Sequence, residues 1–505
     1  MAKVLGISGA SRNAALALCD GGRVVGVCEH ERITRTRSAA LRSGQLPKET
    51  LRTMLRLGAC TEEDIAAIAV AEKVIRLPPG PPVTYVDHHA AHAATAFYSS
   101  PFRDATVVVC DRGGSPELTV WRGDGRGIRQ EGFEWSGPGF ATVYSMATEA
   151  MGFRREGDEH RLEALARAGD NRCGASIPAI AYRGDRLDVP AHFQASIAGA
   201  IGRNGSSAST AQRASLASQI QRELGEVLLR LVADISGKFG SDRLCLGGGL
   251  FYNSYFTTLL AESGLYQETF VSANPGNAGI AVGAALSIGD AESLAQRREP
   301  PSPFLGPEFS PQEIKAVLDN CKLSYDSLRN GQIIERTAAA LAKGQMVGWF
   351  QGRMEWAARA LGNRSILASP IAPYVLENLN AFLKLREPHR TYSLAICTED
   401  LPRYFRGPAK SVCMEYEYDV LDRNLLRNLL PANTTKLRIQ TVDESAGAFY
   451  ELIRAFGDLT GVPMLVNTSF NGFNEPIVCS PRDAIRVFYG TGLDMAVLGS
   501  LVLVK

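Results

Sequence analysis

Val4-Leu-Gly-Ile-Ser8-Gly9-Ala-Ser11-Arg12-Asn13-Ala14-Ala-Leu-Ala-Leu-Cys19-Asp20-Gly-Gly22-Arg-Val24-Val-Gly-Val-Cys28 opens the chain with three apolar runs separated by turns. Val4 to Ser8 predicts a strand, Gly9 to Asn13 a small polar turn, Ala14 to Cys19 a second strand, Asp20-Gly21-Gly22 a hairpin turn and Val24 to Cys28 a third strand. A glycine and hydroxyl turn after an apolar strand offers backbone N–H groups and the Ser11 hydroxyl to a phosphate. The arrangement recurs twice. Thr106-Val-Val-Val-Cys-Asp111 is an apolar strand with an aspartate at its end and Arg112-Gly-Gly114 behind it. Arg243-Leu-Cys-Leu246 runs into Gly247-Gly248-Gly249, with a helix beginning near Asn253.

Three such turns over the first 250 residues point to one cleft that gathers phosphates from several directions. This arrangement resembles the superfamily of actin, sugar kinases and heat-shock chaperones (ASKHA), in which two related halves flank a nucleotide. The long helical stretch from Ala211 to Phe239 fits the helices that cover such sheets. No internal sequence repeat is visible.

A chain of 505 residues with 45% hydrophobic and 21% charged residues can bury at least two cores, so two domains are expected. Fifty-four basic residues against 53 acidic ones argue against an electrostatic nucleic-acid binder. The start enters a strand directly without a signal-peptide pattern, and no apolar run is long enough to span a bilayer. Ten scattered cysteines without zinc-knuckle spacing read as free thiols in a reducing, cytoplasmic setting. The proline-rich run from Glu299 to Pro311 is the best domain boundary, giving domains 1–300 and 301–505. Beyond it lie a helix starting at Ser310-Pro311 with Glu313 in its first turn, a helix from Ile333 to Lys343 and a strand from Met346 to Phe350, so the second domain reads as mixed α and β.

Candidate chemistry falls in both domains. His88 and His92, four residues apart in Val86-Asp-His-His-Ala-Ala-His92, share one face of a helix, and Asp111 at a strand end could complete a cation site with them. In the second domain, Arg353, Arg359 and Arg364 lie within twelve residues among glycines, asparagine and serine, and Lys384, Arg386 and Arg390 follow in Lys384-Leu-Arg-Glu-Pro-His-Arg390. Arginine in that company suits multidentate recognition of phosphate or a carbonyl oxygen. Val462 to Val466 predicts a strand ending in Asn467-Thr468-Ser469-Phe470-Asn471, whose amides and hydroxyls suit a small polar group such as a carbamoyl.

Taken in order, Gly-Ile-Ser-Gly9, His88-His-Ala-Ala-His92, the glycine triplet with Asn253, Asn274-Pro-Gly-Asn-Ala-Gly279, Arg359-Ala-Leu-Gly-Asn-Arg-Ser-Ile366, Lys384-Leu-Arg-Glu-Pro388 and Asn467-Thr-Ser-Phe-Asn471 resemble the O-carbamoyltransferases of nodulation-factor and antibiotic biosynthesis, across essentially the whole chain. The resemblance implies an ASKHA-type domain with duplicated halves followed by a YrdC-like mixed α/β domain. The second domain would make carbamoyl adenylate from carbamoyl phosphate and ATP, with loss of pyrophosphate and phosphate. The first would pass the carbamoyl group to a small-molecule acceptor beside a divalent metal, Fe2+ or Mg2+.

Carried over by position, His88, His92 and Asp111 match the family's metal ligands, with Asn277 where a fourth, an aspartate, is usual. Arg359, Arg364, Lys384, Arg386 and Arg390 and the segment holding Asn467, Ser469 and Asn471 match positions that hold carbamoyl phosphate or nucleotide, with Arg37, Arg353, Gly247, Gly248 and Asn253 as further nucleotide-side candidates. Ser11 stands where the family has a histidine thought to assist transfer, and a hydroxyl is no general base near neutral pH. Asn277 removes a negative charge from the metal set, Arg112 replaces a glycine beside Asp111, and Arg37 replaces a lysine. Arg161-Leu-Glu-Ala-Leu-Ala166 and the segment from His389 also depart from the family pattern. Two readings therefore stay open: an active transferase acting on a hydroxyl or amine, or a transfer-deficient paralogue that binds a partner. The acceptor pocket is expected from loops such as Ser136 to Thr142 and Gly202 to Thr210. A homo-oligomer is compatible with the apolar helix faces.

Overall fold

The computed structural model describes residues 3–505 apart from 42–44, 78, 171–176, 203–207, 290–299 and 432. The first three predicted strands form as β1 (Lys3–Ser8), β2 (Ala15–Asp20) and β3 (Arg23–Glu29), joined by β4 (Ile65–Val70) and β5 (Val83–Tyr85) in the order β3-β2-β1-β4-β5. β1 pairs antiparallel with β2 and parallel with β4, and β5 adds parallel to β4. A second sheet follows from β6 (Ala105–Cys110), β7 (Leu118–Asp124) and β8 (Gly127–Gln130). After a short two-stranded ribbon of β9 (Ala181–Tyr182) and β10 (Leu187–Asp188), it is completed by β11 (Arg243–Gly247) and β12 (Glu268–Val271).

Its order, β8-β7-β6-β11-β12, reproduces the first sheet strand for strand: two antiparallel partners on one side of the central strand and two parallel ones on the other. This duplicated topology is the actin-like architecture expected from the glycine turns, and it repeats the connectivity without repeating the sequence.

Small residues let the halves close on each other. The helix His88–Tyr98 crosses the helix Ile280–Ser287 so tightly that a Cβ on Gly283 would lie 1.9 Å from the Ala91 carbonyl oxygen. Thr95 Oγ1 fills the crossing, donating to the Ala91 carbonyl at 2.9 Å and accepting from the Gly283 N–H at 3.0 Å. On the other side of β1, Gly6 lets helix Ile280–Ser287 lie directly on the strand, since a Cβ there would meet the Ala281 oxygen at 1.9 Å. The alanine run of Ala90, Ala91, Ala93 and Ala94 is therefore a packing surface that fixes where His88 and His92 point.

The second half forms one ten-stranded sheet. Its strands are β13 (Asp326–Ser327), β14 (Val347–Phe350), β15 (Arg364–Ala368), β16 (Ser393–Cys397), β17 (Phe405–Arg406), β18 (Glu417–Val420), β19 (Lys436–Val442), β20 (Met464–Ser469), β21 (Met495–Leu498) and β22 (Leu501–Val504), in the order β13-β22-β21-β14-β15-β20-β16-β19-β18-β17. Only β14–β21 and β16–β19 are parallel pairs, so the sheet is mixed as expected.

Period-two alternation sends Trp349, Leu367, Ala395 and Leu465 to a core shared with helices Asn330–Ala342 and Ala448–Thr460. Phe350, Ile366, Leu394 and Val466 face the opposite core with helices Pro311–Asn320 and Pro481–Gly490. Ser310 and Glu313 form the expected capping box. The described part of the proline-rich run lies between the sheets: Leu305 accepts from Val27 at 2.9 Å on the β3 edge, and Gly306 donates to Met354 at 2.8 Å.

Candidate functional site

The first cleft gathers around Asp111, which leaves the end of β6 in a turn closed by the Gly113 N–H donating to its Oδ1 at 2.8 Å. Asp87 caps the helix His88–Tyr98 by accepting from the His89 and Ala90 N–H groups, so the two histidines begin its first turns. His88 Nε2 lies 3.2 Å from Asp111 Oδ1 and His92 Nε2 3.7 Å from Oδ2. One donor atom from each of the three residues falls within a 4.8 Å cluster.

The donor chemistry fits a cation. His92 Nδ1 donates to the Pro275 carbonyl at 3.0 Å, which leaves the Nε2 lone pair facing the cluster, buried and without a hydrogen-bond partner. Burial drives the His92 pKa down to about 3, so a proton does not fill that place near neutral pH. His89, between them, is turned away to Thr119 Oγ1 at 2.9 Å. Asn277 is half-buried two residues beyond Pro275, and its main-chain carbonyl accepts from Ser8 Oγ at 2.9 Å.

The glycine triplet serves this cluster from the second sheet. Gly249 N–H donates to Asp111 Oδ2 at 2.8 Å. Gly248 has φ +103°, and a Cβ there would lie 2.2 Å from the Cys110 carbonyl oxygen; a Cβ on Gly247 would lie 3.1 Å from the His92 oxygen. Both therefore stand where backbone meets backbone beside the histidine–aspartate group. Asn253 is the N-cap of the helix Ser254–Ala261, accepting from Tyr255 N–H and donating to Gln221 at 2.9 Å, so both ends of its amide are occupied. Ser11 is exposed on its turn. Of the two loops expected to receive an acceptor, Ser136 to Thr142 carries Gly139, whose N–H donates to Glu117 at 2.7 Å, and the centre of Gly202 to Thr210 lies outside the described residues.

A second constellation forms in the ten-stranded half. Lys384, 6% exposed, follows a π-helical turn and drives Nζ onto the Ser469 carbonyl at 2.5 Å, the Asn471 carbonyl at 3.0 Å and Asn471 Oδ1 at 2.7 Å. Burial and the neighbouring Arg386 push its pKa well below that of a free lysine. Asn380 pins the following turn by accepting from Arg386 Nε at 3.0 Å and donating to the Arg390 carbonyl at 2.9 Å, and Arg386 stacks on Tyr392. Arg390 faces Glu163 and Arg167 of the first half, and burial with the charge of Arg386 lowers its pKa to about 10. His160 is exposed nearby, and desolvation with the charges of Arg390 and Arg37 lowers its pKa from that of a free histidine. Arg37 donates to Asn474 Oδ1 at 3.3 Å.

Residues not singled out from the sequence complete the junction. Glu163 Oε1 accepts from Arg167 at 2.9 Å, Arg438 at 3.2 Å and Ser254 Oγ at 2.7 Å, and Glu417 pairs with the same Arg167 and Ser254. Arg359 joins them and donates to the Tyr252 carbonyl at 3.2 Å. Arg167, Arg359 and Arg438 thus face Glu163 and Glu417, and Arg390 lies among Arg386, Glu387 and Glu163, so guanidinium groups outnumber carboxylates here. The surplus positive charge suits phosphate groups. Tyr252 connects this region to the first cleft: its ring lies on Gly276, its hydroxyl bonds Asn274, and Gly249 three residues earlier holds Asp111.

Two expected ligands are occupied otherwise, and a third is so in part. Arg364 is fully buried, and its guanidinium donates to the carbonyls of Gln351, Asn363, Pro307 and Gly352 while stacking 3.6 Å from the Phe350 ring centre. Arg353 spends its guanidinium on the Val25 carbonyl at 2.9 Å and the Leu305 carbonyl at 2.7 Å, tying the two halves together. Asn467 is 2% exposed inside β20, which runs to Ser469 instead of ending at Val466; its Nδ2 donates to Gln440 at 2.7 Å, while its buried Oδ1 has no hydrogen-bond partner among the described residues.

Comparison with known proteins bears on both halves. Residues 61–286 match the family description Carbamoyltransferase N-terminus, and residues 338–505 match Carbamoyltransferase C-terminus. The chain belongs to the carbamoyltransferase family. An uncharacterized protein of Synechocystis sp. is 32% identical to it over 519 residues, covering 92% of this chain and 82% of its own. Nodulation protein NolO of Bradyrhizobium diazoefficiens is 31% identical over 437 residues, covering 83% and 79% respectively. The 3'-hydroxymethylcephem-O-carbamoyltransferase of Amycolatopsis lactamdurans is 30% identical over 263 residues, covering 51% of this carbamoyltransferase and 48% of its own chain. Among the described residues, no helix is long and apolar enough to cross a membrane.

Proposed function

We propose that the protein is an ATP-dependent carbamoyltransferase in which residues 301–505 form carbamoyl adenylate and residues 1–300 pass its carbamoyl group to a hydroxyl or amine of a small molecule. The observation that carries this reading is the surplus of guanidinium charge at the junction, beside the Lys384–Ser469–Asn471 group. Water releases phosphate from carbamoyl phosphate, the resulting carbamate oxygen attacks the α-phosphorus of ATP, and pyrophosphate departs. Arg359, Arg390 and Arg438 hold the phosphoryl and carbamoyl oxygens; Lys384, its three N–H bonds spent on Ser469 and Asn471, fixes the wall beside them, and Arg386 and Asn380 set the turn that carries it. Arg364 acts through the shape of the 351–364 segment, and Arg353 through the seam between the halves.

In the second step the acceptor atom bonds to the carbonyl carbon, the bond to the adenylate oxygen breaks, and AMP leaves with the electron pair. The acceptor's proton passes to the departing phosphate, Ser11 being no base near neutral pH. Donors aimed at the carbonyl oxygen lower this barrier by stabilising the charge that develops there. His88, His92 and Asp111 would hold a divalent cation, whose contribution is Lewis-acid stabilisation of that oxygen. The Tyr252 segment supports coupling between the steps, because Arg359 and Asp111 each bond its backbone.

Incubation with ATP, carbamoyl phosphate and candidate acceptors, followed by a mass search for a product heavier by one carbamoyl group, tests the reading. Consumption of ATP to AMP and pyrophosphate without any carbamoylated acceptor would favour the transfer-deficient paralogue instead.

A further inference from the structure

Arg12 and Arg112 are charges that the transfer chemistry does not use, and the fold brings them to one place. Arg112 directly follows Asp111 in the turn on which the His88 ring lies, since a Cβ on Gly113 would sit 2.4 Å from His88 Nε2. Arg12 belongs to the turn after β1. That turn is tied to the same histidine through Glu72, which accepts from the Ala10 N–H and lies 3.9 Å from His88 Nδ1. Both arginines therefore stand at the rim of the three-donor cluster, on opposite sheets.

Both also converge on one residue. Arg112 Nη1 lies 2.9 Å from Glu156 Oε1, while Arg12 donates to the Glu156 carbonyl at 2.8 Å and comes within 4.0 Å of Oε2. Two features make the Glu156 side chain a replaceable partner. It is 53% exposed, so its ion pairs are weak and exchange readily with other anions. Arg112 Nη1 is buried and makes no aligned hydrogen bond despite the short contact, leaving a directed donor unused. Arg112 and, at 4.0 Å, Arg12 thus share one half-exposed carboxylate at the mouth of the transfer cleft.

We propose that Arg12 and Arg112 recognise an anionic group, carboxylate or phosphate, on the carbamoyl acceptor, which displaces the Glu156 side chain and so brings the acceptor's nucleophile to the His88–His92–Asp111 cluster. The proposal rests on the transferase reading above and adds the acceptor's chemical class. An aligned, charge-assisted pair with two arginines would orient the acceptor as well as hold it.

The test is carbamoylation, in the presence of ATP and carbamoyl phosphate, of three sugars of matched size: glucose, glucuronate and glucose 6-phosphate. At least one anionic sugar should exceed glucose about tenfold or more in kcat/KM, and which one does so separates carboxylate from phosphate recognition. That preference should collapse towards unity in Arg112→Ala and in Arg12→Ala, the latter change lying on a surface turn where folding is least at risk. Glu156→Gln should lower KM for the anionic sugar severalfold by removing a competitor, whereas a purely structural ion pair would raise it or leave it unmoved. Equal or better use of glucose, or no carbamoylation of either anionic sugar while carbamoyl-phosphate-dependent pyrophosphate release continues, overturns the proposal. Absence of that pyrophosphate release overturns the transferase reading itself.

Discussion

Replacing Arg364 with methionine separates a residue that shapes the site from one that touches phosphate. In the structure its Nη1 donates to Gln351 at 2.5 Å and Asn363 at 2.9 Å, and its Nη2 to Pro307 at 3.1 Å and Gly352 at 3.0 Å, with no side-chain exposure. A thioether of similar length fills the space over Phe350 but leaves four carbonyls without that donor. The four lost bonds from a charged donor are worth roughly 1.5–2 kcal/mol each, about 6–8 kcal/mol together, while relief from burying the guanidinium returns about 3 kcal/mol, so the net loss should be about 3–5 kcal/mol. Unfolding in urea, followed by the fluorescence of Trp349 and Trp356 in this half, should show an earlier transition. Hydrogen exchange should speed up at the Leu361, Asn363 and Arg364 N–H groups, which Glu355 holds in a nest. An unchanged urea midpoint and unchanged protection of these amides, together with complete loss of adenylate formation, would return Arg364 to the ligand set.

Other expectations follow from the same geometry. Pyrophosphate release should fall on the alkaline side as Lys384 loses its proton, below the pH at which a free lysine would, because burial and Arg386 lower its pKa; Arg386→Gln should move that limb to higher pH, and movement to lower pH would count against the assignment. Glu163 is buried, which alone would raise its pKa, but Arg438, Arg167 and Arg359 hold it below the usual carboxylate range. Its contribution to stability is therefore complete above the unfolded carboxylate pKa and lost as pH falls through the folded one, so Glu163→Gln should flatten the acid limb of a stability profile; an unaltered slope would show that the junction does not depend on this charge. His92→Ala should reduce the bound Fe2+ or Mg2+ measured after equilibration and desalting by about tenfold or more, and equal metal in variant and parent would remove His92 from the ligand set.

Much of the fold was legible because it rests on local patterns. The strand and turn sequence from Val4 to Cys28 and the apolar runs ending at Asp111 and Gly247 are short-range signals, and each strand formed where it was expected. The capping box at Ser310 is likewise local. The duplication was legible only as three similar turns, since the two sheets share connectivity and not sequence.

In the site, helical spacing was enough to bring His88 and His92 together, and Asp111 met them across a strand. Lys384 and Asn471 converge although 87 residues separate them, and their shared recess had no local signature beyond polarity. What sequence could not reveal is where a guanidinium spends its hydrogen bonds. Arg359 and Arg364 lie five residues apart in one motif, yet the first faces the charged junction and the second faces main-chain carbonyls. Arg438 and Glu163 come from ordinary strand and helix patterns, and only the docking of the two halves makes them partners. Asn467 falls inside β20, which continues three residues past Val466, and its Nδ2 donates to Gln440 across the sheet.

In the proposed reaction the cationic junction activates a carbamoyl group as its adenylate, and pyrophosphate release from ATP reports that step. Release should depend on added carbamoyl phosphate and fall by about a hundredfold or more in Arg438→Met, a change that removes a donor to the transferring group. Folded, pure protein that releases no pyrophosphate under these conditions, or that releases it equally without carbamoyl phosphate, would contradict that reaction.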